Sequence, residues 1–408
     1  MRQPRWAPVA LAYAAFVLVG LNAGVNGVLL AAQIDDYAVS RATLGLTFFT
    51  GSAGFVLAGL TAGAVIHRFG TRMGAATAGG LYALAALYAG TRPAFVAFVL
   101  LQIASGYALG LLESVLNAHL SALPGATTLL NRLHGFFGVG ALLGPPLAAW
   151  IVATASWPMV MVLLAAAAVP LTAAFLLVYP RTDPAPAATK PGSPSTPGLT
   201  RLALRHVGVL LGAALLAVYV GLEVGVGNWA FGYLVEGRGQ TAVLAGYAVS
   251  GYWFGLTAGR FLLSPIVTRL GGTAAGLMNV CLAGVTVTTA LTWLLPGRAA
   301  ATAGLVLLGF FLGPIFPTAI ALAPRLTTER LVPSSIGIMN AGSVVGGSSF
   351  PWLAGAIAEG AGVWTLLPLT LALSLLQHVI WWPMARRLGA GHRSRPAQAG
   401  HAAERVGS

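Results

Sequence analysis

Apolar residues run along this chain in stretches too long for the interior of a soluble domain, each ended by a short polar interval. A bilayer core ~30 Å thick is crossed by ~20 apolar residues in a helix. Twelve stretches reach that length, at roughly 9–32, 43–66, 74–91, 94–119, 133–154, 158–179, 205–232, 243–268, 273–295, 300–323, 335–358 and 365–385. The pattern predicts an all-α membrane protein with twelve transmembrane helices. The first run, behind "MRQPRWAP", is too long for the apolar core of a signal peptide and eleven more follow, so it reads as the first span.

Composition agrees. The 408 residues are 57% hydrophobic and 8% charged, where a soluble domain carries ~25% charged residues. A net charge of +13 would suggest nucleic acid in a soluble protein. Here position decides otherwise. With the N-terminus inside, 18 of the 22 Lys and Arg residues fall on the cytoplasmic side, and Arg41, Arg92, Arg238 and Arg298 fall outside. The positive-inside rule then sets both termini in the cytoplasm of a multi-pass protein of the inner (cytoplasmic) membrane. The basic residues face that compartment, and no nucleic-acid partner is expected.

The chain also repeats. The segment 181–200 holds five prolines with Ser, Thr and Gly, the composition of a flexible linker. It divides a six-helix bundle, residues 1–180, from a second, residues 205–388. A cytoplasmic linker at 181–204 joins them, and a basic tail follows at 389–408. At an offset of 201 residues, "VGLNAGVNG" (19–27) lies on "VGLEVGVGN" (220–228), five of nine positions being identical. At the same offset "RFG" (68–70) lies on "RLG" (269–271). Two parallel six-helix repeats are the architecture of major facilitator transporters. The loop "GAVIHRFGTR" (63–72) resembles that superfamily's pattern between its second and third helices. It keeps Gly63, Arg68, Gly70 and Arg72, with His67 in place of the usual Asp. Arg68, Arg72 and their repeat Arg269 are expected to act as gating or structural charges.

Nine acidic residues are present, and seven lie in loops or the tail. Glu113 and Glu223 lie within apolar spans, where an ionisable side chain costs ~2.5–3.5 kcal/mol on insertion scales and so marks a function. Gly106, Gly110, Glu113 and Asn117, spaced 4, 3 and 4, share a face of the fourth span. Tyr219 and Glu223 share a face of the seventh, where Gly221, Gly225 and Gly227 are expected to bend or unwind the backbone before Asn228 and Trp229. Asn22, Asn26 and Gln102 add neutral amides. Amides, carboxylates and an aromatic ring suit a polyhydroxylated solute. Arg260, within the eighth span, either snorkels to the cytoplasm or joins an ion pair in the cavity. Glu223 is expected to lie too far towards the outside to reach it.

"LLESVLNAHLSAL" resembles the L-fucose/proton symporter family, whose fourth helix reads close to L-E-T-A-A-N-P-F-V. "YVGLE" (219–223), "AGRF" (258–261) and "FPT" (316–318) match further motifs, and the form with Glu223 is similar to sodium-dependent glucose transporter-like proteins. The resemblance implies that Glu113 is a proton-coupling and sugar-binding residue. In place of the family's N-D-I-L-L the first span reads "NGVLL", with Gly27 where the family has Asp. Glu223 is the candidate to compensate as a second proton-coupling acid.

The expected function is a secondary active transporter that moves a small polar, sugar-like solute with protons by alternating access. Asn22, Asn26, Gln102, Asn117, Tyr219, Asn228 and Trp229 are the expected solute-binding residues. The alternative is a proton-driven exporter of a metabolite or antibiotic, because "GALLGPPL" (140–147) resembles the fifth-helix motif of drug/proton antiporters. A membrane enzyme or sensor is a third class. The sequence holds no phosphate loop, Cys/His metal cluster or nucleophile triad, so no cofactor and no metal are expected. The expected partners are the solute, protons or sodium, and the lipid bilayer, with a monomer as the unit.

Overall fold

The computed structural model describes residues 6–180 and 197–393. Residues 181–196 of the expected linker (181–204) and residues 394–408 of the expected tail (389–408) lie outside the described residues; Pro197–Ala203, within the linker, is a short helix, and the last span runs on to Arg393. Among the described residues there is no strand.

Nine of the described helices are long and apolar enough to cross a membrane. One of them, Arg41–Gly90, is 50 residues long and carries two spans. Its backbone leaves the helical region at Gly70 (φ 72°, ψ 171°), a conformation open to glycine because it has no Cβ. Gly271, the equivalent position in the second repeat, has φ 75°. Both glycines of the repeated Arg-x-Gly segment therefore take the positive φ that favours glycine.

Two more helices, Ala242–Arg269 and Val332–Ala361, are 28 and 30 residues long. Each of the twelve apolar stretches falls on one of these helices. The spans run in order as Trp6–Tyr37, two within Leu46–Gly90, Phe95–Ser121, Ala126–Thr154 and Trp157–Val178. The second set is Val207–Gly232, Ala242–Arg269, Ala274–Leu294, Arg298–Leu312 with Ile315–Leu326, Val332–Ala361 and Leu366–Arg393. The tenth span breaks at Gly313 and Pro314, where proline cannot donate to the helical ladder.

The packing repeats with the sequence. In the first half, spans one and five, two and four, and three and six pack together; in the second half seven and eleven, eight and ten, and nine and twelve do the same. Spans five with eight, two with eleven, and one with seven join the halves. Lipid gives apolar helices little reason to associate, so close backbone approach supplies the attraction. A Cβ at Gly20 would overlap the carbonyl of Phe137, and one at Gly140 that of Val17. Gly259 and Gly309 meet the carbonyls of Phe310 and Tyr252 in the same manner.

The halves are tied at one end. Arg41 Nη2 lies 2.6 Å from Glu236 Oε2, and its backbone N–H donates to Glu359 Oε2 at 2.8 Å. Phe48 packs edge-on against Trp229, and Phe49 against Trp352. Below this layer Gly27 touches the seventh span so closely that a Cβ would come within 2.8 Å of the Gly227 carbonyl oxygen and 2.9 Å of that of Asn228.

Candidate functional site

Beneath that closure a cavity of about 490 Å³ lies between the halves. Its first-half wall comes mainly from spans one, two and four, and its second-half wall from spans seven, eight and eleven. Gln102, Ser105 and Glu113 line it from the fourth span, spaced 3 and 8, which keeps them on one helical face. The described residues offer the Glu113 carboxylate no hydrogen-bond donor and no ion-pair partner. No Lys or Arg is among the described lining residues. A lone carboxylate among neutral groups can hold a proton or attract a cationic or hydroxyl-bearing solute.

The first span presents Asn22, Asn26 and Gln33 to the same space. Asn22 Oδ1 accepts from the hydroxyl of buried Tyr82 at 2.9 Å, which orients its amide N–H₂ group. Asn26 Nδ2 donates to Asn228 Oδ1 at 2.6 Å. That bond crosses from the first half to the second. Asn228 Nδ2 donates in turn to the Val224 carbonyl at 2.8 Å, so one Asn228 amide serves its own helix and the partner half together.

The other expected site residues stand elsewhere. Asn117 does not line the cavity; its side chain turns back and donates to the Glu113 backbone carbonyl at 2.9 Å. Tyr219 and Glu223 face the interior of the second half, and Val220 and Val224 take the cavity face of the seventh span. One residue is ~100° of helical turn, which is enough to exchange the two faces. Trp229 is turned away from the cavity for the same reason: its indole N–H donates to the Pro351 carbonyl at 2.8 Å, inside the closed end. The expected unwinding around Gly221, Gly225 and Gly227 is absent, since Val207–Gly232 is a continuous helix. Gly221 instead admits the Phe350 ring, and Gly227 admits Trp253.

A second correction concerns Arg260. Its Nη2 lies 3.1 Å from Glu223 Oε1, although the residue positions suggested that the two stand too far apart. Counting turns ignores the length of the arginine side chain, whose guanidinium reaches the carboxylate. Arg260 Nε also donates to the Gly313 carbonyl at 3.2 Å, at the break in the tenth span, and Tyr252 donates its hydroxyl to the Glu223 carbonyl at 2.9 Å. Arg68, Arg72 and Arg269 lie at the end opposite Arg41 and do not line the cavity. Arg68 stacks over its neighbour Phe69, 5.3 Å from the ring centroid.

Trp253, Gln33, Ser52 and Ser105 line the cavity without having been singled out in the sequence. Gln33 continues the face of Asn22 and Asn26 at a spacing of seven, and Trp253 precedes Arg260 by seven, so both carried a readable signal. Ser52 and Ser105 carried none, because serine is common on packed glycine-rich faces.

Known proteins agree with this architecture. "Bypass of stop codon protein 6" of Saccharomyces cerevisiae is 26% identical over 415 residues, spanning 92% of this chain and 82% of that one. A putative glucose/galactose transporter of Helicobacter pylori is 31% identical over 157 residues, 38% of this chain and 37% of that one. Among solved structures, a bacterial homologue of the human lysosomal transporter Spinster, inward-facing and unoccupied, superposes with a TM-score of 0.78 at 13% identity, covering 97% of this chain and 100% of that one. The E. coli fucose:proton symporter FucP superposes with a TM-score of 0.61 at 19% identity, covering 93% and 98%. The Major Facilitator Superfamily model matches residues 12–301. With its repeated six-helix halves, central cavity and positive-φ glycines at equivalent positions, this chain belongs to the Major Facilitator Superfamily: it is a multi-pass membrane transporter and not an enzyme.

Proposed function

We propose that the protein couples the movement of a small, polar, sugar-like solute to protons, with Glu113 as the residue that carries the proton. The observation that carries this reading is the Glu113 carboxylate, unpaired among the described residues in a cavity whose other polar lining is neutral. Asn22, Asn26, Gln102 and Asn228 are the solute-binding groups; amides donate to and accept from hydroxyls. Glu223 is held by Arg260, so its role is that of a fixed charge pair. The similarity to a glucose/galactose transporter and a fucose:proton symporter supports a sugar. In this reading the termini are cytoplasmic, the host membrane is the inner one, and the end closed by Arg41 faces outwards.

The test uses de-energised proteoliposomes. A panel of sugars is added outside and external pH is recorded. Alkalinisation with one sugar, lost in Glu113→Gln, is the expected result, with solute exchange retained in that variant. Uphill uptake that survives Glu113→Gln overturns the assignment. Silence across the panel, with and without sodium, favours export of another solute through the same cavity.

A further inference from the structure

Asn22 and Tyr82 meet between two helices of the first half. Asn22 lines the cavity from the first span. Tyr82 stands behind it in the third span, 1% exposed and outside the cavity lining. The Tyr82 hydroxyl donates to Asn22 Oδ1 at 2.9 Å, and among the described residues it has no other hydrogen-bond partner.

Burial sets the direction of that bond. A phenol carries one proton, and a proton left without an acceptor inside an apolar bundle bears the full cost of lost water. Asn22 supplies the acceptor, so its carbonyl oxygen is turned to the third span. The amide nitrogen is the end that remains, and the described residues offer it no partner. Gln102, across the same cavity, shows the contrast. It makes only a long contact, 3.4 Å, to the Phe98 carbonyl of its own helix, and no second side chain fixes which end of its amide meets the solute. An amide without such a tether exchanges its N–H₂ and C=O ends by a half-turn and can serve a donor or an acceptor. Asn22 is denied that choice.

We propose that Tyr82 is a positioning residue that fixes the polarity of solute recognition at Asn22: the first span meets the solute there with a hydrogen-bond donor, and the solute answers with an oxygen that accepts. This rests on the sugar-like reading above and deepens it by assigning a role to one hydroxyl. A hydroxyl that accepts can be replaced by fluorine, which accepts weakly and cannot donate, with much of the contact kept. Replacement by hydrogen removes the contact. At a hydroxyl that donates, fluorine serves no better than hydrogen.

The experiment measures binding to the full chain in lipid nanodiscs by calorimetry. D-glucose and D-galactose are compared with analogues in which each hydroxyl in turn is replaced by hydrogen or by fluorine. The expected result is one position where the deoxy sugar binds about tenfold more weakly than its parent and the fluoro sugar stays within a few-fold of it. Tyr82→Phe keeps the ring and removes only the hydroxyl. It should shrink the fluoro-to-deoxy ratio several-fold at that position and leave the ratios at other positions unchanged. A merely structural loss would weaken all the sugars together and leave every ratio where it was. Asn22→Ala should bring the ratio at that position to one. Asn22→Asp keeps the acceptor for Tyr82 but replaces the N–H₂ group by oxygen, so there too fluorine should serve no better than hydrogen. Fluorine no better than hydrogen at every position of the unaltered protein overturns the donor role of Asn22 and leaves the sugar reading standing. A ratio unchanged by Tyr82→Phe overturns the role of Tyr82, and one that survives Asn22→Ala or Asn22→Asp overturns the assignment to Asn22. No binding by either sugar overturns the sugar reading, and this inference with it.

Discussion

Glu223 and Arg260 hold each other at 3.1 Å between the seventh and eighth spans, inside one half of the transporter and behind its cavity wall. The guanidinium also ties that pair to the Gly313 carbonyl at the break in the tenth span. The pair thus joins three helices of the second half with opposite charges that offset each other's burial.

Removing one partner leaves the other charge unmatched within the membrane. Breaking a buried pair costs about 3–5 kcal/mol. The Arg260 side chain keeps 32% of its exposure, so Glu223→Gln is expected to cost less than that range, about 2–3 kcal/mol. The double variant Glu223→Gln with Arg260→Gln should recover much of that loss. Unfolding in detergent, followed by heat or denaturant, checks both.

Arg41 bridges the halves through two carboxylates that are each nearly half exposed, Glu236 at 46% and Glu359 at 43%. Exposed pairs contribute about 0.2–1 kcal/mol. Arg41→Ala should therefore loosen this end a few-fold without unfolding the protein. Cys281 is buried and is the chain's single cysteine, which leaves a quiet background for labelling. A cysteine placed by Ser52→Cys in the cavity should react several times faster with an impermeant maleimide from the Arg41 side when Arg41→Ala is present. An unchanged rate would mean that the apolar layer alone keeps the end shut.

Gly27 stands where the fucose symporters have an aspartate, and the simplest repair would be Gly27→Asp. No space exists for it: a Cβ there comes within 2.8 Å of the Gly227 carbonyl and 2.9 Å of the Asn228 carbonyl, and backbone cannot yield as a side-chain tip does. Gly27→Asp and Gly27→Val should both abolish transport and raise labelling of Ser52→Cys from the Arg41 side. Transport retained in Gly27→Asp would show that the helices separate readily at this point.

Pro146 has no N–H, so the Leu142 carbonyl one turn earlier lacks its helical donor. The Ser250 hydroxyl, from the other half, donates to that carbonyl. Ser250→Ala should cost about 0.6–1.7 kcal/mol, the range for hydrogen bonds between membrane helices. Pro146→Ala in the same chain should restore much of it by returning the helical donor. A thermal-stability double-mutant cycle measures the coupling, and strict additivity would deny it.

Most of the architecture was legible because it rests on local chemistry. Membrane helices satisfy their own backbone, so length and hydropathy suffice to find them. The repeat was legible too, since a turn of positive φ favours glycine, and Gly70 and Gly271 occur 201 residues apart. Glu113, Asn22, Asn26 and Gln102 were found because a polar group in an apolar span is rare and costly.

Which polar residue faces the cavity and which faces a neighbouring helix was a tertiary decision. Asn228 and Trp229 are adjacent in sequence, yet one joins the halves over the cavity and the other donates to Pro351 in the closed end. Glu223 belonged with Arg260 only once the eighth span had packed beside the seventh. The sequence by itself determined the helices, their repeat and the presence of buried chemistry, because those follow from residues near one another in the chain. The rotation of each helix, and hence the pairing of its polar groups, depends on contacts among helices far apart in sequence, where a difference of one residue turns a side chain by ~100°.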